Sequence, residues 1–298
     1  MMSKLIKPTV GDRIFDVFVY VVLGAGFIVV AYPLLFVLSS SFSDPQAVVS
    51  GKVWLFPVKP TLQGYVAVFK NSQIVTGFMN SLFYMVVGTT LNIVMTVFAA
   101  YPLSRKELQG RSVVTLYFVI TMFISGGLIP SYLLVKNLGL LDSRWALIIP
   151  AAMSVWNVII TRTFFQATIP QELYEAAQLD GAGDFRFLAS IAIKLSAPII
   201  AVMALYYGVG HWNTYFSALI YLKSPELFPL QIILRSILVV NNIDPTMVVD
   251  FEVLQRKQGL ADVLKYAVIV VASVPVLLIY PFVQKYFVKG VMIGSIKG

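Results

Sequence analysis

Residues 71–104 read NSQIVTGFMNSLFYMVVGTTLNIVMTVFAAYPLS, 34 positions without one Asp, Glu, Lys or Arg. Crossing about 30 Å of hydrocarbon takes a helix of roughly 20 mostly apolar residues, and a charge held at mid-bilayer costs ~2.5 kcal/mol or more. This stretch is therefore predicted to be a membrane-spanning helix. Five other stretches are equally free of charge: 17–43, 112–135, 145–161, 195–222 and 266–284. They predict an all-α integral membrane protein with six transmembrane helices, over about 15–38, 80–103, 113–135, 145–165, 198–222 and 264–284. The fourth charge-free stretch is the shortest, and Arg162 must snorkel at its end.

Composition points the same way. The 298 residues are 58% apolar and 12% charged, with a mean hydropathy of +0.84, whereas a soluble surface needs about a quarter of its residues charged. A transmembrane β-barrel would alternate polar and apolar residues along each strand, and these stretches are apolar on every face. The first begins too late and runs too long for a cleaved signal peptide, so it is expected to be retained. With no cysteine and one histidine, His211, there is no thiol nucleophile and little to build a metal centre or a proton relay from.

Six spans put both termini on one side. Lys4, Lys7 and Arg13 precede the first span, Arg105, Lys106 and Arg111 follow the second, and Lys285, Lys289 and Lys297 follow the sixth. The excess of positive charge on cytoplasmic loops makes that side the cytoplasm. The expected layout is a tail over 1–14, a six-helix membrane domain over 15–284 and a tail over 285–298. The net charge of +8 reads as topology marking or as attraction to an anionic membrane face or partner. On the outer side, 44–63 is expected to be an irregular loop with Trp54 and Phe56 at the headgroups. Leu230–Val240, too short to span, is expected as a surface or re-entrant helix.

The loop over 166–197 is more than a connection. Pro170 opens a helix, Glu172 and Glu175 favour its positive end, and Ala176 and Ala177 permit close approach. Gly181 and Gly183 interrupt it after Asp180, and Asp184 is placed to cap a second helix carrying Phe185, Phe187, Leu188, Ile191 and Leu195.

Glu175-Ala176-Ala177, three residues, Gly181, nine residues and Ile191 resemble the EAA loop of binding-protein-dependent ABC importer permeases. Thr61-Leu62 with Tyr65 and Phe69, Asn80-Ser81-Leu82 and Tyr101-Pro102-Leu103-Ser104-Arg105 look like carbohydrate permeases of the MalG-like kind. Ser125-Gly126-Gly127-Leu128-Ile129-Pro130-Ser131-Tyr132, Gly210-His211-Trp212-Asn213 and the ending Tyr286 to Gly298 look like its LplC/YtcP-like branch. One departure is Lys194, where the family usually has proline; the next proline here is Pro198.

The resemblance implies a type I importer permease fold in a bacterial cytoplasmic membrane. It also implies an ATPase-coupling segment of Glu172, Glu175, Ala176, Ala177, Asp180, Gly181 and Asp184, and import of oligosaccharides, possibly acidic ones of pectin or alginate type. The implied partners are a second homologous permease in a heterodimer, two ATPase subunits, an extracytoplasmic sugar-binding protein and the lipid bilayer, with no nucleic acid. No cofactor is expected on this chain. It has no GxxxxGK[ST] phosphate loop, so ATP and Mg belong to the ATPase subunits.

A glycan path wants aromatic faces beside amides and hydroxyls. Gly208, His211, Trp212 and Tyr215 follow the i, i+3, i+4, i+7 spacing of one helix face, next to Asn213. Trp156 and Asn157 adjoin on the fourth span, and Asn80, Tyr84, Gly88 and Asn92 form a ridge on the second. Each reads either as path lining or as hydrogen-bonding between helices. An ion-coupled secondary transporter is the alternative, but it would need membrane-embedded carboxylates or a repeat, and an intramembrane enzyme would need a nucleophile and a base.

Overall fold

In hydrocarbon a backbone has no water to bond, so its polar groups must be paired within the protein, which favours helices. A computed structural model describes residues 9–240 and 251–295, and no strand occurs among the described residues. Residues 1–8, 241–250 and 296–298, with Lys4, Lys7 and Lys297, lie outside them. The chain divides into two units, 1–70 with 237–271, and 71–236 with 272–298.

In the first unit, helix α1 (Val10–Ser41) opens on a capping box. Thr9 Oγ1 accepts from the Asp12 N–H at 3.2 Å and the Asp12 carboxylate accepts from the Thr9 N–H at 2.7 Å, satisfying two donors that a helix start leaves unpaired. Its apolar side chains are exposed over most of its length, while Ser39, Ser40 and Ser41 are buried at its end. There Ser39 donates to the Leu55 carbonyl at 2.6 Å and Ser41 bonds the Tyr65 hydroxyl at 2.8 Å, pinning the 44–63 segment. That segment includes the short helix α2 (Pro45–Val49); Trp54 and Phe56 stand exposed. Helix α3 (Gln63–Lys70) follows.

The second unit is built on α4 (Ser72–Ser104), one continuous helix with a π-turn at Tyr84–Gly88. Helices α5 (Arg111–Phe123) and α6 (Leu128–Asn137) meet at 114°, because Gly127 between them has φ of 81°, a conformation costly for any residue with a Cβ. Next come α7 (Trp145–Ile148) and α8 (Val155–Thr168), separated at Pro150, then α9 (Gln171–Leu179) and α10 (Asp184–Leu195). Helix α10 bends by 81° into α11 (Ala197–Trp212), where Pro198 sits in the first turn. Helices α12 (Phe216–Tyr221) and α13 (Leu230–Arg235) precede α14 (Phe251–Ser295), which runs from the first unit into the second.

Three helical segments are long and apolar enough to cross a membrane unaided, Val10–Ser41, Ser72–Ser104 and Gly259–Pro281; with the bent pairs α5–α6 and α10–α11 counted as spans there are five among the described residues. The 113–135 and 145–165 stretches are not single straight helices, because Gly126-Gly127 and Pro150 break them. Absence of charge is blind to that.

Glycines set the closest approaches to α4. A Cβ on Gly77 would lie 2.3 Å from Ile233 Cδ1 of α13, and one on Gly88 would lie 2.5 Å from the His211 ring of α11. The rigid imidazole leaves Gly88 no slack. In the detergent-solubilised chain, Gly88→Ala is expected to cost about 1–3 kcal/mol, read as a lowered Tm. Gly210→Ala, where nothing lies within 4 Å, is expected to leave Tm level or slightly raised.

Candidate functional site

The buried polar groups of α4 reach the places where other elements lose their helical hydrogen bonds. Asn80 Nδ2 donates to the carbonyls of Glu226 at 2.7 Å and Phe228 at 3.1 Å, Tyr84 donates to that of Leu227 at 2.8 Å, and Ser81 accepts from the Leu230 N–H at 2.9 Å. Four groups of the connection into α13 are thus held by little more than one helical turn. Arg144 completes Asn80 by donating to its Oδ1 at 3.2 Å.

One level further along, Asn92 Nδ2 donates to the Ala151 carbonyl, inside the break between α7 and α8. Its Oδ1 then accepts, so His211 Nε2, 2.6 Å away, carries the proton. Thr96 bonds the Tyr207 hydroxyl at 2.7 Å, and that hydroxyl accepts from the Ser154 N–H at 3.2 Å. Broken backbone in a buried setting needs such partners.

These contacts locate the residues singled out for a sugar path. Asn80, Tyr84, Asn92 and His211 are buried and committed to internal bonds. Trp212 is 1% exposed; its indole N–H donates to the Ala272 carbonyl at 3.0 Å, and its ring meets Phe78 edge-on at 5.5 Å, so it presents no open face. Gly208 faces Thr89 and Met85 of α4. Asn157 is buried, whereas Trp156 is 61% exposed.

The expected helical face does not extend to Tyr215. Helix α11 ends at Trp212, where Asn213 Nδ2 bonds back to the Val209 carbonyl at 3.0 Å and Thr214 to that of Gly210 at 3.2 Å, supplying the partners that a helix end lacks. Asn213 itself is exposed, and Tyr215, half-buried, lies 5.7 Å from the Arg235 guanidinium.

At the other end of α4 lies the segment singled out for coupling. Helix α9 closes in a Schellman motif: the Gly181 N–H bonds the Gln178 carbonyl and the Ala182 N–H that of Ala177, both at 2.9 Å, with Asp180 at the C-cap and Gly181 at φ of 77°. Tyr174 and Ala177 turn inward; Glu172, Glu175, Ala176 and Leu179 form the outward stripe, Leu179 being 90% exposed. Asp184 does not cap α10. Gly183 holds the N-cap position, without a side-chain bond, and the Asp184 carboxylate instead accepts from the Tyr174 hydroxyl at 2.6 Å. That bond, with burial second, pushes the Tyr174 hydroxyl up to about 12, so it remains a donor at any physiological pH.

Sequence reasoning missed the residue between α4 and this hairpin. Arg105 packs its guanidinium 3.7 Å from the Tyr174 ring centroid and within 6 Å of Tyr101 and Phe187. It lies 3.6 Å from the Glu107 carboxylate, which also accepts from Gln171. The signal is the Tyr101–Arg105 motif, in which the arginine, taken by charge alone, marks only orientation.

No protein-family model matches the sequence. It is 41% identical over 288 residues to the polygalacturonan/rhamnogalacturonan transport system permease protein YtcP of Bacillus subtilis, covering 96% of this chain and 99% of that one. It is 38% identical over 290 residues to protein LplC of the same organism, covering 97% of each. The chain belongs to the carbohydrate ABC transporter permease family. The permease also superposes with a TM-score of 0.86 and 33% identity on a chain in the crystal structure of a bacterial ABC transporter involved in the import of the acidic polysaccharide alginate, covering 94% of this chain and 99% of that one. It is thus a multi-pass membrane protein of an importer.

Because Gly181 is set by its dihedral angle and not by crowding, with nothing within 4 Å of the point a Cβ would occupy, Gly181→Val is expected to cost the hairpin about 1–2 kcal/mol. Hydrogen exchange at the Ala182 amide of the permease should accelerate about 5- to 30-fold. Gly181→Asn should change it much less.

Proposed function

We propose that this permease carries acidic oligosaccharides, of pectin or alginate type, into a bacterial cell, and that the α9–α10 hairpin receives the ATP-driven movement. The reading is carried by one observation. The hairpin is closed internally by the Gly181 turn and the Tyr174–Asp184 bond, yet it turns Leu179, 90% exposed, away from its own core. A rigid projection with an apolar tip and an acidic stripe is suited to a groove on another subunit. The acidic character of the cargo rests on the names of the relatives, one tied to polygalacturonan and rhamnogalacturonan and the other to alginate.

In the assembly we infer, this chain makes six crossings in the cytoplasmic membrane, with both termini and 166–197 in the cytoplasm. It pairs with a second, homologous permease, two ATPase subunits that bind ATP and Mg, and an extracytoplasmic sugar-binding protein. The chain catalyses nothing itself. Glu172, Glu175, Ala176 and Leu179 meet the ATPase; Ala177, Asp180, Gly181 and Asp184 shape the hairpin. Among the path candidates, Trp156, Asn213 and Tyr215 retain surface for a passing glycan, and Asn80, Tyr84, Asn92, Asn157, Gly208, His211 and Trp212 hold the wall.

The assembled importer in proteoliposomes, with ATP inside and binding protein outside, is expected to take up trigalacturonate or alginate trisaccharide, and to stop when ATP is withdrawn. Uptake that survives ATP withdrawal and collapses with the ion gradient would make the chain a secondary transporter. Glu175→Lys is expected to abolish uptake and to weaken co-purification of the ATPase subunits while the permease still inserts.

A further inference from the structure

Movement delivered to α9 can pass back through Ile169-Pro170 into α8, forward along the chain, or across by side-chain contact. The forward route runs through the Gly181 turn, along α10 with its π-turn at Leu188–Ala192, and round the 81° bend into α11. Each of these is a place where a helix yields. The contact route reaches the end of α4, where Tyr101 and Leu103 share a buried cluster with Tyr174, Ala177 and Phe187.

Tyr174 of α9 and Phe187 of α10 meet edge-on at 5.2 Å and 88°, and Tyr174 also donates to Asp184 across the glycine turn. The two arms of the hairpin therefore move together. Arg105 enters this unit from the end of α4, its guanidinium carbon 3.7 Å from the Tyr174 centroid. The side chain is 11% exposed, and its Nε and one terminal nitrogen are buried without a hydrogen-bond partner among the described residues. Among the described residues the ring faces and the Glu107 carboxylate lie against this cation, so displacing it from Tyr174 is costly. Glu107 adds a second strap, to Arg105 and to Gln171 at the start of α9. On one side the cluster opens to a cavity of about 460 Å³, so bulk packing does not clamp it there.

We propose that Arg105 is a positioning residue of the transport cycle: stacked on Tyr174, it passes the movement of the coupling hairpin to α4 and so to the elements α4 holds. The role rests on the hairpin being the ATPase-coupling element. Lysine is not equivalent: its ammonium can sit over a ring but lacks the planar face that stacks on it. Arg105 touches neither nucleotide nor cargo; it sets how much of the ATPase stroke reaches the membrane.

The test is the ratio of sugar imported to ATP hydrolysed by the assembled importer in proteoliposomes, with trigalacturonate or alginate trisaccharide as probe. Arg105→Lys keeps the charge that orients the loop and removes the stack; Tyr174→Phe keeps the ring and removes the bond to Asp184. Arg105→Lys is expected to lower the ratio about fivefold or more, with ATPase subunits still bound and ATP still hydrolysed. Tyr174→Phe, which leaves the ring under the guanidinium, should lower it less. An unchanged ratio in Arg105→Lys, or uptake and hydrolysis falling in proportion, would overturn the proposal. If Arg105→Lys fails to assemble, Tyr174→Leu, which removes the ring under the guanidinium, carries the same two outcomes. Failure of the wild-type importer to couple uptake to ATP would instead reject the coupling reading beneath it.

Discussion

Every interruption of a helix in a buried setting leaves N–H and C=O groups that need partners, and the second unit is organised around meeting that need. The groups that meet it come largely from one helix. Asn80, Ser81 and Tyr84 hold the approach to α13, and Asn92 holds the break between α7 and α8 while bonding His211 of α11. Each such bond between membrane helices contributes only about 0.6 kcal/mol on average. Their weight lies in the alternative, an unpaired carbonyl in a dry interior, which costs about 1–3 kcal/mol. The result is a helix that several others cannot leave.

The same helix ends at Arg105, where the problem reverses. Instead of unpaired backbone there is a buried cation, and instead of amides the partners are aromatic faces from α9 and α10. One helix is thus fastened at the α9–α10 hairpin and, along its length, to the loop before α13, the α7–α8 break and α11. That arrangement suits an importer permease. Force applied at a hairpin is useful only if the helix it meets is itself tied to the wall of the path.

What could be read from the sequence followed from what charge and glycine report. Charge-free stretches located α1, α4 and the apolar part of α14, since a continuous helix and a continuous absence of charge coincide there. They did not report the 114° bend at Gly127 or the break at Pro150, because backbone direction depends on single residues whose signal is outweighed by hydropathy. Gly181 was legible because a glycine after an acidic-led helix has one common use. Asp184 stands one position past the cap, enough to exchange a capping bond for a tertiary bond to Tyr174. Tyr215 lies beyond the end of the helix whose face it was expected to share. Arg105 was legible as a motif residue and an orienting charge but not in its packing, since Tyr174 and Phe187 are far away in sequence and only folding brings their rings to it.

The central claim is that the α9–α10 hairpin is where the ATPase subunit acts. The chain contains no cysteine, so Leu179→Cys creates a unique thiol at the exposed tip of α9. In the assembled importer, a short bifunctional maleimide is predicted to link residue 179 to the ATPase subunit and to stop uptake, while Lys223→Cys, in the connection after α12, forms no such link. A thiol at 179 that never links to the ATPase subunit, and stays freely reactive in an importer that is turning over, would contradict the account.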